Sequence, residues 1–240
     1  MVILPARPAK TSPNAAKGCL SMRESSDLSR LRLGDGVKAS SVKRQSQTKR
    51  RVGIYSGTFD PVHAGHIAFA LQAATAAGLP KVYFVPERAP RGKRHVTHYA
   101  HRVAMIRRAT RPYTQLDVLE LEDKTFSVAH TLPRLRRDFP QSELVYLCGS
   151  DVIAHMAQWP HVARFLQQVE LCVGRRGNET QHSIEQALET LPPPLRVTFF
   201  DSHAPAVSSS QVRAALREKR GVRGLLASVK VYAAQEWLYL

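Results

Sequence analysis

Hydrophobic positions along the chain fall into short runs separated by longer amphipathic stretches. Six runs are rich in β-branched and aromatic residues: RVGIYS at 51–56, KVYFVP at 81–86, LDVLEL at 116–121, ELVYLCG at 143–149, VELCVG at 169–174 and RVTFFD at 196–201. Their length and composition predict strands. The stretches between and after them predict helices at 64–77, about 99–110, about 126–139, 151–168, about 180–191, about 208–219 and 228–238. Pro133 predicts a late start or a kink in the third of these, and Pro160 a break in the fourth, because proline removes a helical donor and clashes with the preceding turn. The alternation of strand and helix predicts an α/β domain with a doubly wound, mostly parallel sheet and helices on both faces.

The first 50 residues lack this pattern. Stretches such as RPAKTSPNAAKG and KASSVKRQSQTKRR are rich in Ser, Lys, Arg, Pro and Ala. Such a segment buries too little apolar surface to offset its ordering entropy. The division expected is therefore a disordered basic tail, 1–50, and a folded domain, 51–240. Of the net charge of +16, residues 1–51 hold 12 Lys and Arg against 3 acids, and the remainder 23 against 16. The tail has no apolar core like that of a secretory signal. It is similar in composition to an organellar transit peptide, and an RNA-contacting arm or an over-extended reading frame are the other readings. No apolar run approaches the roughly 18 residues of a spanning helix, so no membrane partner is expected. Cys19, Cys148 and Cys172 are too few and too scattered for a disulfide framework or a zinc site. Cys148 and Cys172 sit in apolar runs and read as buried core thiols in a reducing, cytoplasmic compartment.

The chemistry concentrates after the first strand, in GIYSGTFDPVHAGH at 53–66. In open α/β sheets ligands bind beyond the carboxyl ends of the strands. Gly57 leaves room for a close backbone approach, Gly65 does the same between the two histidines, and the helix that follows offers unpaired amides to an anion. His63 and His66, three positions apart at its start, face the same side. Together these features suggest a polyphosphate site. Zinc is the competing ligand, but the helical zinc signature places its histidines at i and i+4 around a glutamate. A second anion device, VSSSQVR at 207–213, sits near the other end of the domain: Ser208 suits a helix N-cap, Ser209 and Ser210 add donors, and Arg213 follows one turn later.

GTFDPVHAGH resembles the G-x-F-D-P-x-H-x-G-H signature of the nucleotidyltransferase superfamily, and VSSSQVR resembles its I-S-[ST]-[ST]-x-[IV]-R signature. Four further segments, TFSVAHTL at 125–132, LVYLCGSDVIAHMAQW at 144–159, LCVGRRG at 171–177 and the closing LLASVKVYAAQEWLY, resemble bacterial-type nicotinate-nucleotide adenylyltransferases in order and spacing. The resemblance covers about residues 52–240. It implies a Rossmann-like fold and an enzyme that joins a pyridine mononucleotide to the AMP part of ATP, releasing pyrophosphate, in NAD biosynthesis.

Carried over residue by residue, it implies that Gly57, Thr58 and Phe59 line the ATP and that His63 and His66 hold its phosphates. Gly149 and Asp151 would meet the adenosine, and Ser209, Ser210 and Arg213 would clamp the β- and γ-phosphates. His63, His66 and Arg213 would be the catalytic groups. Trp159 would stack on the pyridine ring, with Thr125, Lys93 and Arg175 on the same side. Lys93 stands, with Arg91 as rival, where the family has P-P-H-K, because the loop here reads PERAPRGKRH. His130, Ala227 and RRG replace the family's Asp, Pro and RRP. The resemblance also implies Mg2+ carried on the ATP phosphates, with no metal held by the protein itself. ATP and a pyridine mononucleotide are the expected partners. An oligomer stays open, and nucleic acid enters only through the basic tail. The alternatives are a nucleotidyltransferase acting on nicotinamide mononucleotide, phosphopantetheine or a CTP-dependent substrate, and a non-catalytic nucleic-acid-binding protein on a nucleotide-binding fold.

Overall fold

In the computed structural model the described residues are 50–175 and 181–240. Most of the basic segment 1–50, with Cys19, and Arg176 lie outside them. The described chain runs β1 (Arg51–Gly57), α1 (Ala64–Ala76), β2 (Lys81–Pro86), α2 (Tyr99–Thr110), β3 (Leu116–Val118), α3 (Thr131–Asp138) and β4 (Glu143–Gly149). It continues with α4 (Ser150–Met156), α5 (Val162–Gln168), β5 (Val169–Arg175), α6 (Gln181–Glu189), β6 (Val197–Asp201), α7 (Ser209–Arg217) and α8 (Ala227–Gln235). All six expected strands form. Helix α3 starts late, at Thr131, with Pro133 in its first turn, where a missing amide costs nothing. The expected helix 151–168 is broken into α4 and α5 around Pro160.

The strands form one sheet in the order β3-β2-β1-β4-β5-β6. Each neighbouring pair is parallel. This is the doubly wound Rossmann order. Alternate strand residues enter opposite cores. Tyr55, Phe84, Val145, Leu147 and Cys172 pack with Ile67, Phe69 and Ala73 of α1, Met105 and Ile106 of α2, and Val229 and Tyr232 of α8. Val52, Ile54, Leu144, Tyr146, Cys148 and Leu171 pack with Leu132 and Leu135 of α3, Ile153 and Met156 of α4, and Phe165 of α5. Cys148 and Cys172 are buried free thiols, as expected. Among the described residues no helix is long and apolar enough to cross a membrane.

The order reverses between β1 and β4, which pair with each other but send their chains to opposite sides. Their carboxyl ends, Gly57 and Gly149, open a crevice there.

Candidate active site

A cleft of about 1090 Å3 occupies that crevice. Most of the expected site residues line it: Gly57, Thr58, Phe59, His63, His66, Lys93, Gly149, Asp151, Trp159, Ser209, Ser210 and Arg213. Residues separated by more than 150 positions are thus brought together.

The loop after β1 is held from several sides. Phe59 adopts a left-handed φ of +51° and is buried against Tyr55, His66 and Phe84. A phenylalanine in that conformation persists only where packing over-determines it. The Phe59 ring covers Gly57: a Cβ there would stand 2.9 Å from the ring tip. Gly57 is therefore required by the packing of the Phe59 ring as well as lining the cleft. Gly65 is similar, since a Cβ would come within 3.0 Å of the Pro205 carbonyl oxygen. The first amide of α1 is also occupied, with Ala64 N–H donating to the Gly224 carbonyl at 2.9 Å. The chain before and after α7 fills positions that the sequence suggested were open to the anion.

His63 is the N-cap residue of α1, and its amide donates to His66 Nδ1 at 3.3 Å. A ring nitrogen that accepts a backbone N–H carries no proton, so the neutral His66 ring has its proton on Nε2. The two rings stack with centroids 3.7 Å apart, His63 buried and His66 half-buried. Tilted only 26° from each other, the two stacked rings both line the cleft.

Helix α7 brings the second signature against this loop. Ser208 caps it, accepting from Gln211 N–H at 3.2 Å while its own amide donates to Gln211 Oε1. Ser209 Oγ donates to the Pro61 carbonyl at 3.0 Å. Arg213 Nη1 donates to the Asp60 carbonyl at 2.6 Å, and Nη2 to Ser210 Oγ at 3.1 Å. The planar guanidinium is thereby fixed with donors left over for a ligand. The Ser209 hydroxyl proton, in contrast, is used within the protein.

Arg102 on α2 is a keystone that the sequence reading missed. It is 1% exposed, and its guanidinium donates to the carbonyls of Thr97, Thr58, Glu87 and Arg88 at 2.7–3.2 Å. Burial lowers its pKa, and Asp60 is the main group opposing that shift. Asp60 is itself buried and accepts from Thr97 N–H and from the Tyr239 hydroxyl. One cation thus ties the β1 loop, the loop after β2 and the approach to α2.

The cleft wall differs between its parts. Arg91, Lys93, Arg94 and His95 line it from the loop after β2, and Lys93 Nζ donates to Thr58 Oγ1 at 2.8 Å. With His63, His66 and Arg213 they make a strongly basic region suited to polyanions. Another part is aromatic: Trp159, Tyr146 and Phe126 line it, and with Phe165 behind they form a cluster with centroids 5.1–6.2 Å apart. Trp159 is half-buried. Glu87 joins this wall, its carboxylate accepting from Phe126 N–H at 3.0 Å. Asp151 is exposed in the first turn of α4, whose N-cap is Gly149.

Two expected residues are not brought to the cleft lining. Arg175, the last residue of β5, turns toward the neighbouring strand and pairs with Asp201 at 2.8 Å. Thr125 precedes the cleft residues Phe126 to His130 and lies just outside them. Among the described residues no cluster of His, Cys, Asp or Glu is arranged to hold a metal ion.

The cytidylyltransferase-like family model matches residues 54–215. A probable nicotinate-nucleotide adenylyltransferase of Desulfitobacterium hafniense is 32% identical over 198 residues, covering 79% of this chain and 96% of that protein. The nicotinate-nucleotide adenylyltransferase of Bacillus subtilis is 29% identical over 197 residues, covering 79% and 98%. In fold, the chain is similar to the Plasmodium falciparum nicotinic acid mononucleotide adenylyltransferase solved in complex with NaAD. The TM-score is 0.66 at 18% identity, over 79% of this chain and 97% of that one. With both signatures assembled at one crevice, the chain belongs to the cytidylyltransferase-like family and, within it, to the nicotinate-nucleotide adenylyltransferases, which are nucleotidyltransferase enzymes.

Proposed function

We propose that this enzyme joins nicotinate mononucleotide to ATP, forming deamido-NAD and pyrophosphate in NAD biosynthesis. The observation that carries the reading is the joining of the two signatures, with Arg213 bound to Asp60 beside the stacked His63 and His66 in a cleft whose far wall is aromatic.

An oxygen of the mononucleotide phosphate attacks the α-phosphorus of ATP. A new P–O bond forms, the bond to the bridging oxygen breaks, and its electron pair leaves on pyrophosphate. The attacking phosphate is already an anion at neutral pH, so no general base is needed. The barrier lies in bringing two anions together and in the charge that gathers on the leaving group. Positioning and preorganised positive groups are the appropriate catalysis.

Arg213, held by Ser210, supplies the positive charge, and His63 and His66 add ring donors beside it. Thr58 and Phe59 line the phosphates, and Lys93 reaches the same loop. Gly149 and Asp151 lie where the adenosine ribose would fit. Trp159 offers its open side to the pyridine ring. Mg2+ would come with ATP as part of the substrate and would supply charge neutralisation at its phosphates. The buried Asp60 is committed elsewhere, since one oxygen accepts from Tyr239 and the other from Thr97.

The test is pyrophosphate release with ATP against a panel of phosphorylated acceptors: nicotinate mononucleotide, nicotinamide mononucleotide and phosphopantetheine. The expected result is turnover fastest with nicotinate mononucleotide. Turnover with phosphopantetheine alone, or with none, would overturn the reading.

A further inference from the structure

The segment after α8 returns to the signature loop. The Tyr239 hydroxyl donates to Asp60 Oδ1 at 2.6 Å, across 179 positions of sequence. Two non-glycine residues make this return with left-handed backbone, Trp237 at φ +53° and Tyr239 at φ +63°. The turns leave Trp237 77% exposed while Tyr239 packs against the core of α1 and α2, its hydroxyl 4.0 Å from Met105 Sδ. Left-handed conformation at two bulky residues is held only by compensating contacts. The contact found at its end is a hydrogen bond to a residue of the phosphate loop. Burial, and then the bond to Asp60, push the phenol pKa well above its usual value. The hydroxyl therefore stays protonated, and a donor, through the neutral range.

Asp60 is held at three points. Oδ1 accepts from Tyr239, Oδ2 from Thr97 N–H, and its backbone carbonyl from Arg213 Nη1. The next residue, Pro61, accepts from Ser209. The peptide that carries the Arg213 contact is thus the same residue whose side chain Tyr239 fixes.

We propose that Tyr239 is a positioning residue for the ATP phosphates: its hydroxyl locks Asp60, and the Asp60 carbonyl in turn sets the Arg213 guanidinium. The identity of the ligand rests on the adenylyl-transfer reading above. The geometry of Tyr239, Asp60 and Arg213 does not.

Tyr239→Phe keeps the ring and its packing and removes only the donor. The expected result is an ATP dissociation constant, measured by calorimetric titration, and an ATP KM both raised about ten-fold, as for loss of one hydrogen bond to a charged group. The mononucleotide KM should stay within about two-fold. In an Arg213→Lys background the same change should have a much smaller effect, because the two act through one path. A residue that only stabilises the fold would lower the thermal midpoint and leave ATP affinity and this coupling unmoved, and that result overturns the proposal. 4-Aminophenylalanine at position 239 keeps the ring and a donor for Asp60, so it should bind ATP nearly as tightly as the wild type, and ATP binding as weak as that expected of Tyr239→Phe, with the fold intact, overturns the proposal. Wild-type protein that binds ATP but transfers no AMP would sink the functional reading while the titrations still decide the role of Tyr239.

Discussion

Arg213 Nη1 donates to the backbone carbonyl of Asp60 at 2.6 Å, although the two residues are 153 positions apart. The bond makes the two signatures one object. Arg213 spends one arm on the loop and one on Ser210, and what remains is aimed rather than mobile. Lysine cannot reproduce that, since it is a point charge without a fork. Arg213→Ala should lower kcat by about 10²–10³, the range for removing one preorganised charge-stabilising donor. Arg213→Lys should recover only a minor part of the loss. Full recovery in steady-state pyrophosphate release would mean that charge alone matters at this position.

The paired imidazoles lead to a second expectation. His63→Ala and His66→Ala should each lower kcat by about 10²–10³. His66 also receives the His63 amide, so its loss removes a helix-start contact as well. His66→Ala should therefore cost roughly 1 kcal/mol of stability, as a lost cap does, and lower the thermal midpoint more than a surface substitution does. Near-normal turnover in both variants, with circular dichroism unchanged, would remove the histidines from the mechanism.

Arg102 carries the largest expected effect on stability. Its guanidinium serves four carbonyls from three separate segments and is almost wholly buried. Arg102→Met fills much of the volume but leaves those acceptors and Asp60 without their cation. Breaking such a buried arrangement costs about 3–5 kcal/mol. At about 2–4 °C per kcal/mol for a domain of this size, the thermal midpoint should fall by roughly 6–20 °C. A shift below about 3 °C by calorimetry would mean that water replaces the guanidinium.

Arg102 also marks where sequence stops being informative. The strands were legible because their apolar runs are short, β-branched and punctuated, and the late start of α3 and the break before α5 followed from Pro133 and Pro160. The cleft was legible wherever neighbouring residues share a motif, as in residues 57–66 and 208–213. Arg102 sits on a helix with two other arginines, and all its acceptors are backbone carbonyls, which leave no mark on composition. Tyr239 and Asp60 meet only through the fold. Gly57 and Gly65 were visible as special positions, but the reason for each was not. A ring stands over the one and a distant carbonyl over the other, contacts that only the fold reveals. Arg175, expected in the site from the resemblance, pairs with Asp201, which β6 brings alongside.

The buried titratable groups predict an alkaline limit. Burial first, and Glu170 second, push the Cys172 thiol from 9.0 up to about 12. Burial raises Cys148, Tyr146 and Tyr239 as well. Above pH 9 the unfolded chain releases protons that the folded protein still holds, so stability falls as pH rises from 9 toward 12. Each such group contributes a slope of about 1.4 kcal/mol per pH unit within its window. Urea midpoints should be flat with respect to these groups below pH 8 and clearly lower at pH 10.5. An unchanged midpoint at pH 10.5 would show that these groups are not withheld from water.

The aromatic wall makes the last expectation specific to one substrate. Trp159 is half-buried, with Phe126, Tyr146 and Phe165 packed around it at 5.9–6.2 Å and part of its surface left to the cleft. A planar pyridine ring fits against that surface. Stacking one ring on an aromatic side chain is worth roughly 1–3 kcal/mol. Trp159→Ala should therefore weaken mononucleotide KM by about 5- to 150-fold, with ATP KM nearly unchanged. Trp159→Phe should recover part of the loss, since a ring face remains. The same site should choose between pyridines. Arg91, Lys93, Arg94 and His95 make the loop after β2, which lines the same cleft, strongly basic, which favours an anionic nicotinate carboxylate over a neutral carboxamide. Glu87 opposes this, but its carboxylate is already bonded to Phe126 N–H, and four basic side chains outweigh it. The kcat/KM for nicotinate mononucleotide should exceed that for nicotinamide mononucleotide, and the ratio should shrink as salt screens the loop. A ratio favouring nicotinamide would overturn the substrate assignment and leave adenylyl transfer intact. A mononucleotide KM unmoved by Trp159→Ala would make that residue a packing aromatic only.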